Sequence, residues 1–290
     1  MLESLPFSFF NGLIWALIIS IVALGLSIIF GTMRVVNVAH GELYATGAIF
    51  AFIFAVNYNL NFWLAMALSV AIVGLMCAVL EKLVYREYEG KVSVTLILSI
   101  GLALILQQVD LIIFGGQVAL MQAPVQGYIS LLGQTFPIYR LVAAGISICF
   151  LTVMWYFLFR TSLGLSIRAT MQDRDMAAGL GINIDRISML TFGIGGALAA
   201  LGGVIASPII SVHYLMGGDI LTISFIVVIV GQLSLRGAVM AAFLFAPLEN
   251  VLALFVQPII ARVISFIIMC VIVVIRQTGL ATKIRRERIK

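Results

Sequence analysis

A short polar stretch near the start of the chain carries the side chains best suited to chemistry. Residues 31–42 read GTMRVVNVAHGE, and apolar runs flank them at about residues 10–30 and 43–56. The stretch holds four polar side chains: Arg34, Asn37, His40 and Glu42. Lipid tolerates polar side chains and irregular backbone only where protein buries them or where they line a wet cavity. The stretch is therefore either a cytoplasmic turn or part of a translocation pathway.

Two later positions place polar groups within or between apolar runs. Glu249 and Asn250 interrupt one run, where a charge is costly and usually faces a cavity or a partner. Gly231 and Gln232 lie in a short connection between two other runs. With the first stretch they make up the candidate substrate pathway, which consists of Arg34, Asn37, His40, Gly41, Glu42, Gly231, Gln232, Glu249 and Asn250.

No group of residues in the sequence is arranged for catalysis or metal binding. The chain has two histidines, no His-Glu-x-x-His pattern, and three cysteines that all lie inside apolar runs. Gly90-Lys91 is followed by Val92 and lacks the upstream glycine of a phosphate-binding loop. We therefore expect no enzyme activity, no metal site and no cofactor in this chain. If ATP is used, a separate chain must hydrolyse it.

The composition identifies the class of protein. Hydrophobic residues make up 63% of the 290 residues, charged residues make up 10%, and the mean hydropathy is +1.19. Because a soluble domain carries about 25% charged residues, an ordinary soluble globule is excluded. The alternating pattern of an outer-membrane barrel is absent as well. The sequence predicts an all-α fold, a polytopic transmembrane helical bundle in one domain over residues 1–290.

Nine apolar segments are candidates for membrane spans, each of which needs about 20 apolar residues. They lie at about residues 10–30, 41–58, 62–82, 92–113, 139–159, 187–207, 219–235, 237–256 and 262–279. Several are short or interrupted by glycine, so we expect eight or nine spans, some of them broken or re-entrant. Small residues at Gly195, Ala199 and Gly203 predict close packing of two helix backbones.

The positions of Lys and Arg predict the orientation in the membrane. If the long loop at residues 160–186 is cytoplasmic, that side holds fifteen of the 17 Lys and Arg residues. Only Arg140 and Arg262 then lie on the other side. By the positive-inside rule the C-terminus, with its basic tail at residues 283–290, lies in the cytoplasm near anionic lipid. A net charge of +5 arranged in this way does not indicate nucleic-acid binding.

The two long connections have different compositions. Residues 114–138 have no Lys or Arg and are rich in Gly, Gln and Pro, which predicts an external loop with an amphipathic turn at residues 128–132. The charged loop at 160–186 contains a predicted short helix at residues 173–180. Asp173 would cap its first turn, and Gly179 and Gly181 would end it in a left-handed conformation. A short helix displayed in this way favours docking of a soluble partner.

Three motifs in this sequence resemble one protein family. Residues 25–42, GLSIIFGTMRVVNVAHGE, closely resemble the signature of the permease subunits of branched-chain amino acid ABC transporters. Residues 165–183 resemble the cytoplasmic coupling segment of that family, and residues 275–280, IRQTGL, are similar to its Arg-Pro-Thr-Gly-Leu ending. One departure is Gln232, which follows Gly231 where the family commonly has a second glycine.

The resemblance implies a role in a multi-subunit importer in the cell inner membrane. It implies a second permease subunit, as a heterodimer, together with two cytoplasmic ATPases that hold the ATP and an external binding protein. The cargo would be branched-chain or other hydrophobic amino acids. The residues that this resemblance assigns to ATPase coupling are Arg168, Ala169, Asp173, Ala177, Ala178, Gly179, Gly181 and Ile182.

Two other functions remain open at this point. Urea and short-amide ABC permeases share much of the first motif. An ion-coupled secondary transporter would instead use Glu249, Asp110 or His40 for coupling, and broken helices near residues 31–41 and 231–237 would suit it. The charged loop at 160–186 separates the two classes, because a secondary transporter needs no dock for an ATPase.

Overall fold

The computed structural model of the chain describes residues 5–131 and 134–277. The α-helices in this part are α1 (Leu5–Met33), α2 (His40–Phe52), α3 (Phe62–Leu80), α4 (Val92–Phe114), α5 (Ile138–Arg160), α6 (Ser162–Gln172), α7 (Arg174–Gly179), α8 (Ile184–Ala206), α9 (Met216–Val230), α10 (Leu235–Leu252) and α11 (Pro258–Gln277). Short π-helical turns extend α2 to Asn57 and α3 to Tyr85. Strands β1 (Tyr128–Leu131) and β2 (Gln134–Pro137) form an antiparallel hairpin.

Each predicted apolar segment overlaps one of these helices over its described residues, which confirms the all-α membrane fold. Among the described residues, six helices are long and apolar enough to cross a membrane: α1, α3 with its extension, α4, α5, α8 and α10. The apolar helices α9 and α11 are shorter. The predicted basic tail at residues 283–290 and the expected cytoplasmic C-terminus lie outside the described residues.

Two predictions about the connections need correction. The amphipathic turn predicted at residues 128–132 is wrong, because residues 128–131 form β1 and pair with β2. The hairpin forms because Phe136 is fully buried, in edge contact with the rings of Phe7 and Phe10. The loop at 160–186 contains a second helix, α6, which sequence analysis missed. It begins where the hydroxyl of Thr161 accepts a hydrogen bond from Gly164 N at 3.1 Å.

Two helices, α1 and α8, form the centre of the bundle. Their most apolar stretches are 78% and 72% buried, whereas those of α4 and α5 are only 17% buried. The outer helices therefore present their apolar side chains outward, as helices facing lipid do. The small residues of α8 make the close approach possible: a Cβ at Gly25 of α1 would lie 2.7 Å from the carbonyl oxygen of Gly195. The predicted packing stripe on α8 is confirmed here.

The bundle has two ends, which we name by what they carry. The hairpin end carries β1 and β2, and the basic end carries α6 and α7. Helix α1 runs from the hairpin end, where Phe7 contacts Phe136, to the basic end, where Gly31 lies against the side chain of Met171 in α6. Helix α8 runs in the opposite direction, and the hydroxyl of Tyr139 donates a hydrogen bond to Ile205 O near its far end at 2.9 Å.

Candidate functional site

The polar stretch found first in the sequence forms a break between α1 and α2. Helix α1 ends at Met33, and Arg34 reverses the chain with a positive φ of 55°. Residues 35–39 then return into the bundle without helical structure. Helix α2 begins at His40, whose Nε2 lies 3.0 Å from the carbonyl oxygen of Val22 in α1. Since Val22 precedes the end of α1 by about 16 Å of helix, α2 begins well inside the bundle.

The first turn of α2 is surrounded by protein. Asn37 and His40 are fully buried, and Glu42 is 6% exposed. Asn37 Nδ2 and Oδ1, His40 Nδ1 and Glu42 Oε2 have no hydrogen-bond partner among the described residues. Gly41 lies against α9, because a Cβ there would collide with the Gly217 carbonyl oxygen. Buried polar groups without partners are costly, which marks this region as a candidate functional site.

One side-chain hydrogen bond joins α2 to α4 in this interior. Thr46 Oγ1 donates to Asp110 Oδ2 at 2.9 Å, and the Asp110 side chain is 1% exposed. Sequence analysis considered Asp110 as a structural residue and, in the secondary-transporter alternative, as a coupling group. Here the carboxylate connects the broken helix to a helix at the edge of the bundle.

A cavity of about 410 Å³ opens at the hairpin end between α1, α2, α9, α10 and α11. Arg262 holds its charged groups together: Nε donates to Glu249 Oε1 at 2.9 Å, and Nη1 donates to Asp219 Oδ1 at 2.8 Å. Apolar and aromatic side chains form the rest of the wall, among them Trp15, Ile19, Tyr44, Ile220 and Ile223. The volume lies in the range of about 300–1,000 Å³ that is typical of small-molecule sites.

The predicted pair Glu249 and Asn250 lies in this cavity. Asn250 Oδ1 accepts a hydrogen bond from Asn11 Nδ2 at 3.0 Å, and Asn11 Oδ1 accepts one from Arg140 Nη1 at 2.6 Å. Sequence reasoning omitted Arg262 and Asp219 from the candidate site. A signal for the arginine was present, because Arg140 and Arg262 are the two basic residues that depart from the positive-inside distribution.

The chemistry of the cavity suits a small zwitterion with an apolar side chain. The carboxylates of Asp219 and Glu249 can bind an ammonium group. Arg262 uses only two of its N–H donors in the bonds given above, so the others can bind a carboxylate. The apolar wall can then receive an aliphatic side chain. Among the described residues, no three His, Cys, Asp or Glu side chains come together as a metal site requires.

A second, polar pocket of about 520 Å³ lies at the basic end. It contains Arg34 together with Arg174 of α7, which forms an ion pair with Glu89 in the connection between α3 and α4. Burial lowers the pKa of Arg174, and the neighbouring carboxylates of Asp185 and Asp175 act in the opposite direction. This pocket joins the charged loop to the point where α1 ends.

The structure therefore distributes the predicted pathway residues over four places. Arg34 lies at the basic-end pocket, and the residues from Asn37 to Glu42 lie in the interior. Glu249 and Asn250 lie at the hairpin-end cavity. Gly231 and Gln232 form the turn between α9 and α10 at the basic end, where Gln232 is exposed.

The short helix predicted in the charged loop is present as α7. Asp173 Oδ1 accepts a hydrogen bond from Met176 N at 2.9 Å, which confirms the predicted cap. At the other end Gly181 has a φ of +86°, and the N–H groups of Gly181 and Ile182 bond to the carbonyl oxygens of Ala178 and Ala177. This paired arrangement is a Schellman motif, which needs glycine at its left-handed position.

The predicted coupling residues differ in exposure. Asp173, Ala178, Gly179 and Gly181 are exposed, whereas Ala177 is 2% exposed and packs against the bundle. Arg168 lies on α6 with its guanidinium over the ring of Phe159. The side chains of Met176 and Leu180 are 64% and 74% exposed and lie one helical turn apart, so they give α7 and its cap an open apolar face.

A bundle of long apolar helices with a buried break and a charged cavity at one end has the architecture of a membrane permease. A family profile described as branched-chain amino acid transport system / permease component matches residues 8–273. The chain belongs to this family, and the resemblance found in its sequence is confirmed. It is a permease subunit of an ABC importer.

Individual relatives agree with this assignment. The permease protein LivH of Escherichia coli (strain K12), from a high-affinity branched-chain amino acid transport system, is 23% identical over 97% of this chain and 96% of that protein. BraD of Pseudomonas aeruginosa is 28% identical over 67% of this chain and 68% of that protein. A solved structure, PsaBC from Streptococcus pneumoniae in complex with Fab, has a similar fold, with a TM-score of 0.50, 15% identity and coverage of 91% and 89%.

Proposed function

We propose that this chain moves branched-chain or other hydrophobic amino acids across the cell inner membrane as one permease subunit of an ATP-driven importer. The observation that carries the proposal is the family match over residues 8–273. The hairpin-end cavity supports it independently, because its charges complement a zwitterion and its apolar wall suits an aliphatic side chain.

In this proposal the hairpin end faces outward and receives cargo from an external binding protein. The basic end faces the cytoplasm, an orientation that the distribution of Lys and Arg favours. Cargo enters the cavity beside Arg262 and passes the first turn of α2, where Gly41 and Gly217 bring α2 and α9 together. A second permease subunit, as a heterodimer partner, completes the pathway.

Two cytoplasmic ATPases would bind ATP and engage the exposed face of α7. Motion of α7 has a direct route to the broken helix, since Arg174 pairs with Glu89 and Met171 of α6 packs on Gly31 at the end of α1. Both contacts lie close to Arg34, where the chain turns back into the bundle. Alternating access would follow from movement of this break.

Transport by the reconstituted complex tests the proposal. Proteoliposomes containing this chain, its partner permease and the ATPases are supplied with binding protein and ATP, and uptake of labelled leucine is compared with that of urea and acetamide. ATP-dependent leucine uptake is expected. Uptake of the amides alone would support an amide permease, and uptake driven by an ion gradient without ATP would support a secondary transporter.

Co-purification tests the docking surface separately. Ala178→Asp places a charge at an exposed position of α7, and we expect it to abolish binding of the ATPases while membrane insertion is kept. Ser162→Asp is the matched control, because it adds the same charge at an exposed position in the first turn of α6. Unchanged ATPase binding by the Ala178→Asp variant would contradict the docking role.

A further inference from the structure

Two arginines at the basic end stack on the same aromatic ring. The guanidinium carbon of Arg168, from α6, lies 4.8 Å from the centroid of the Phe159 ring. That of Arg236, in the first turn of α10, lies 5.0 Å from the same centroid. The consecutive helices α5 and α6 and the distant α10 therefore bring two positive charges together at the end of α5.

No described carboxylate forms an ion pair with either arginine. In the part of the chain that the structure describes, the ion pairs involve Arg86, Arg174 and Arg262, and none involves Arg168 or Arg236. Arg168 Nε is buried and has no hydrogen-bond partner there either. Stacking on Phe159 attracts each guanidinium to the face of the ring. Because that contact leaves the mutual repulsion of the two guanidinium groups in place, the pair favours an anionic partner.

An apolar groove of about 550 Å³ begins at Arg236 and at the Phe159 ring on which Arg168 stacks. It runs between α1, α5 and α10, and both Phe159 and Arg236 line one end of it. Leu17, Leu151, Trp155 and Phe243 are among the side chains along its walls. Trp155 is 48% exposed, so the groove is open on the outer surface of the bundle.

We propose that this groove is a binding site for an anionic phospholipid. The phosphate of the headgroup contacts Arg168 and Arg236, and one acyl chain lies in the groove along α5 and α10. The charge pair and the apolar groove are continuous, which matches a molecule with an anionic head and an apolar tail. A free anion would use only the arginines, and a neutral lipid would use only the groove.

The site has a built-in reporter, because Trp155 lines the groove and its ring lies 5.9 Å from that of Phe159. Trp15→Phe and Trp63→Phe leave Trp155 as the single tryptophan of the three in the chain. The purified protein is titrated in mixed micelles with phosphatidylglycerol or phosphatidylcholine carrying the same brominated acyl chains. We expect phosphatidylglycerol to quench Trp155 at a mole fraction lower by about tenfold or more.

Matched variants separate the charge from the groove. Arg168→Gln with Arg236→Gln is expected to remove the preference for phosphatidylglycerol. Arg186→Gln is the control, since Arg186 is exposed at the same end and has no ring contact among the described residues. Val239→Phe fills the groove while keeping both arginines, and we expect it to weaken quenching by both lipids. Melting temperatures of all variants confirm that they are folded.

Several outcomes would overturn the proposal. Equal quenching by the two lipids in the parent protein, or an unchanged preference in the double Gln variant, would remove the charge argument. Displacement of the lipid by inorganic phosphate at matched concentration would make the arginine pair a free-anion site. Quenching that disappears when a second copy of the chain or the partner permease associates, with no lipid bound in the assembled complex, would make the groove a protein interface. None of these results bears on transport of amino acids.

Discussion

The two breaks in the helical pattern look alike in the sequence and differ in the structure. Both connections contain residues with positive φ that are not glycine: Arg34 at 55° in the first, Gln232 at 57° and Leu233 at 56° in the second. The first break returns the chain into the bundle, and Asn37 within it is fully buried. The second is a tight turn between α9 and α10 that stays at the basic end.

Local hydrogen bonds explain why the second break is self-contained. Leu233 N donates to Val228 O at 2.9 Å, and Ser234 Oγ accepts a hydrogen bond from Gly237 N at 3.1 Å to cap α10. At the first break the cap residue, Ala39, offers no side-chain acceptor. The first break is instead held in position by contacts with distant helices, namely α1, α4 and α9. The comparison teaches that one break is set by nearby sequence and the other by tertiary packing.

The largest effect is expected from filling the contact between α2 and α9. At Gly41 a new Cβ would lie 2.7 Å from Leu221 Cβ and collide with the Gly217 carbonyl oxygen. Gly41→Val should therefore cost roughly 3 kcal/mol or more of unfolding free energy. Gly218→Val is the control, because nothing lies within 4 Å of a Cβ at Gly218. Thermal melting in detergent measures both, and equal melting temperatures would contradict the close contact at the first break.

A smaller loss of stability is expected from truncating a buried side chain in the same region. His40→Ala removes a fully buried ring and its contact with Val22 O, so it should cost about 2–3 kcal/mol. Gln232→Ala, at the exposed break, should change the free energy of unfolding by no more than about 0.5 kcal/mol. Equal melting temperatures for the two variants would contradict the claim that the first break depends on tertiary packing and the second does not.

Substitution of Arg262 tests how α9 and α10, the helices joined by the second break, are held together at the hairpin end. Arg262→Gln releases Glu249 of α10 and Asp219 of α9, and because these pairs are partly exposed we expect a loss of about 1 kcal/mol. Amino-acid uptake should fall further, by about tenfold, if the guanidinium binds a carboxylate. Arg262→Lys keeps the positive charge but cannot pair with Glu249 and Asp219 through one planar guanidinium group. Compared with the Gln variant, it should therefore recover more of the stability than of the uptake. Wild-type uptake by the Gln variant would remove the cavity from the pathway.

The smallest effect is expected at Gln232, where glycine relieves a backbone strain. A non-glycine residue in the left-handed region destabilises the folded state by about 1–2 kcal/mol. Glycine avoids this strain, but its greater freedom in the unfolded chain cancels part of the gain. Gln232→Gly should therefore raise the free energy of unfolding by about 0.5 kcal/mol. Uptake should be unchanged because the side chain is exposed. A lower melting temperature would show that the Gln232 side chain stabilises the turn.

The sequence predicted local features well and distant contacts poorly. Asp173 was assigned as the start of the short helix, and Gly179 and Gly181 as its left-handed stop. Asp173 and Gly181 are confirmed, because capping depends on neighbours along the chain, whereas Gly179 lies inside α7 without a positive φ. The pathway residues were grouped by polarity, and the structure separates Arg34 from His40 although only five residues lie between them. Nothing local indicates that the chain turns back at Arg34 and re-enters the bundle. The pairing of Arg262 with Asp219 likewise depends on helices that meet only in three dimensions.

The sequence by itself determined that this protein is a helical membrane permease, because a composition this apolar cannot form a soluble domain and because its motifs identify the family. The caps of α7 and α10 were decided by the same short-range chemistry. Only the tertiary structure decided how deep α2 begins, which charges share the hairpin-end cavity and which arginines share Phe159. Those features depend on side chains from separate helices being packed together, and the spacing of residues along one chain does not specify that packing.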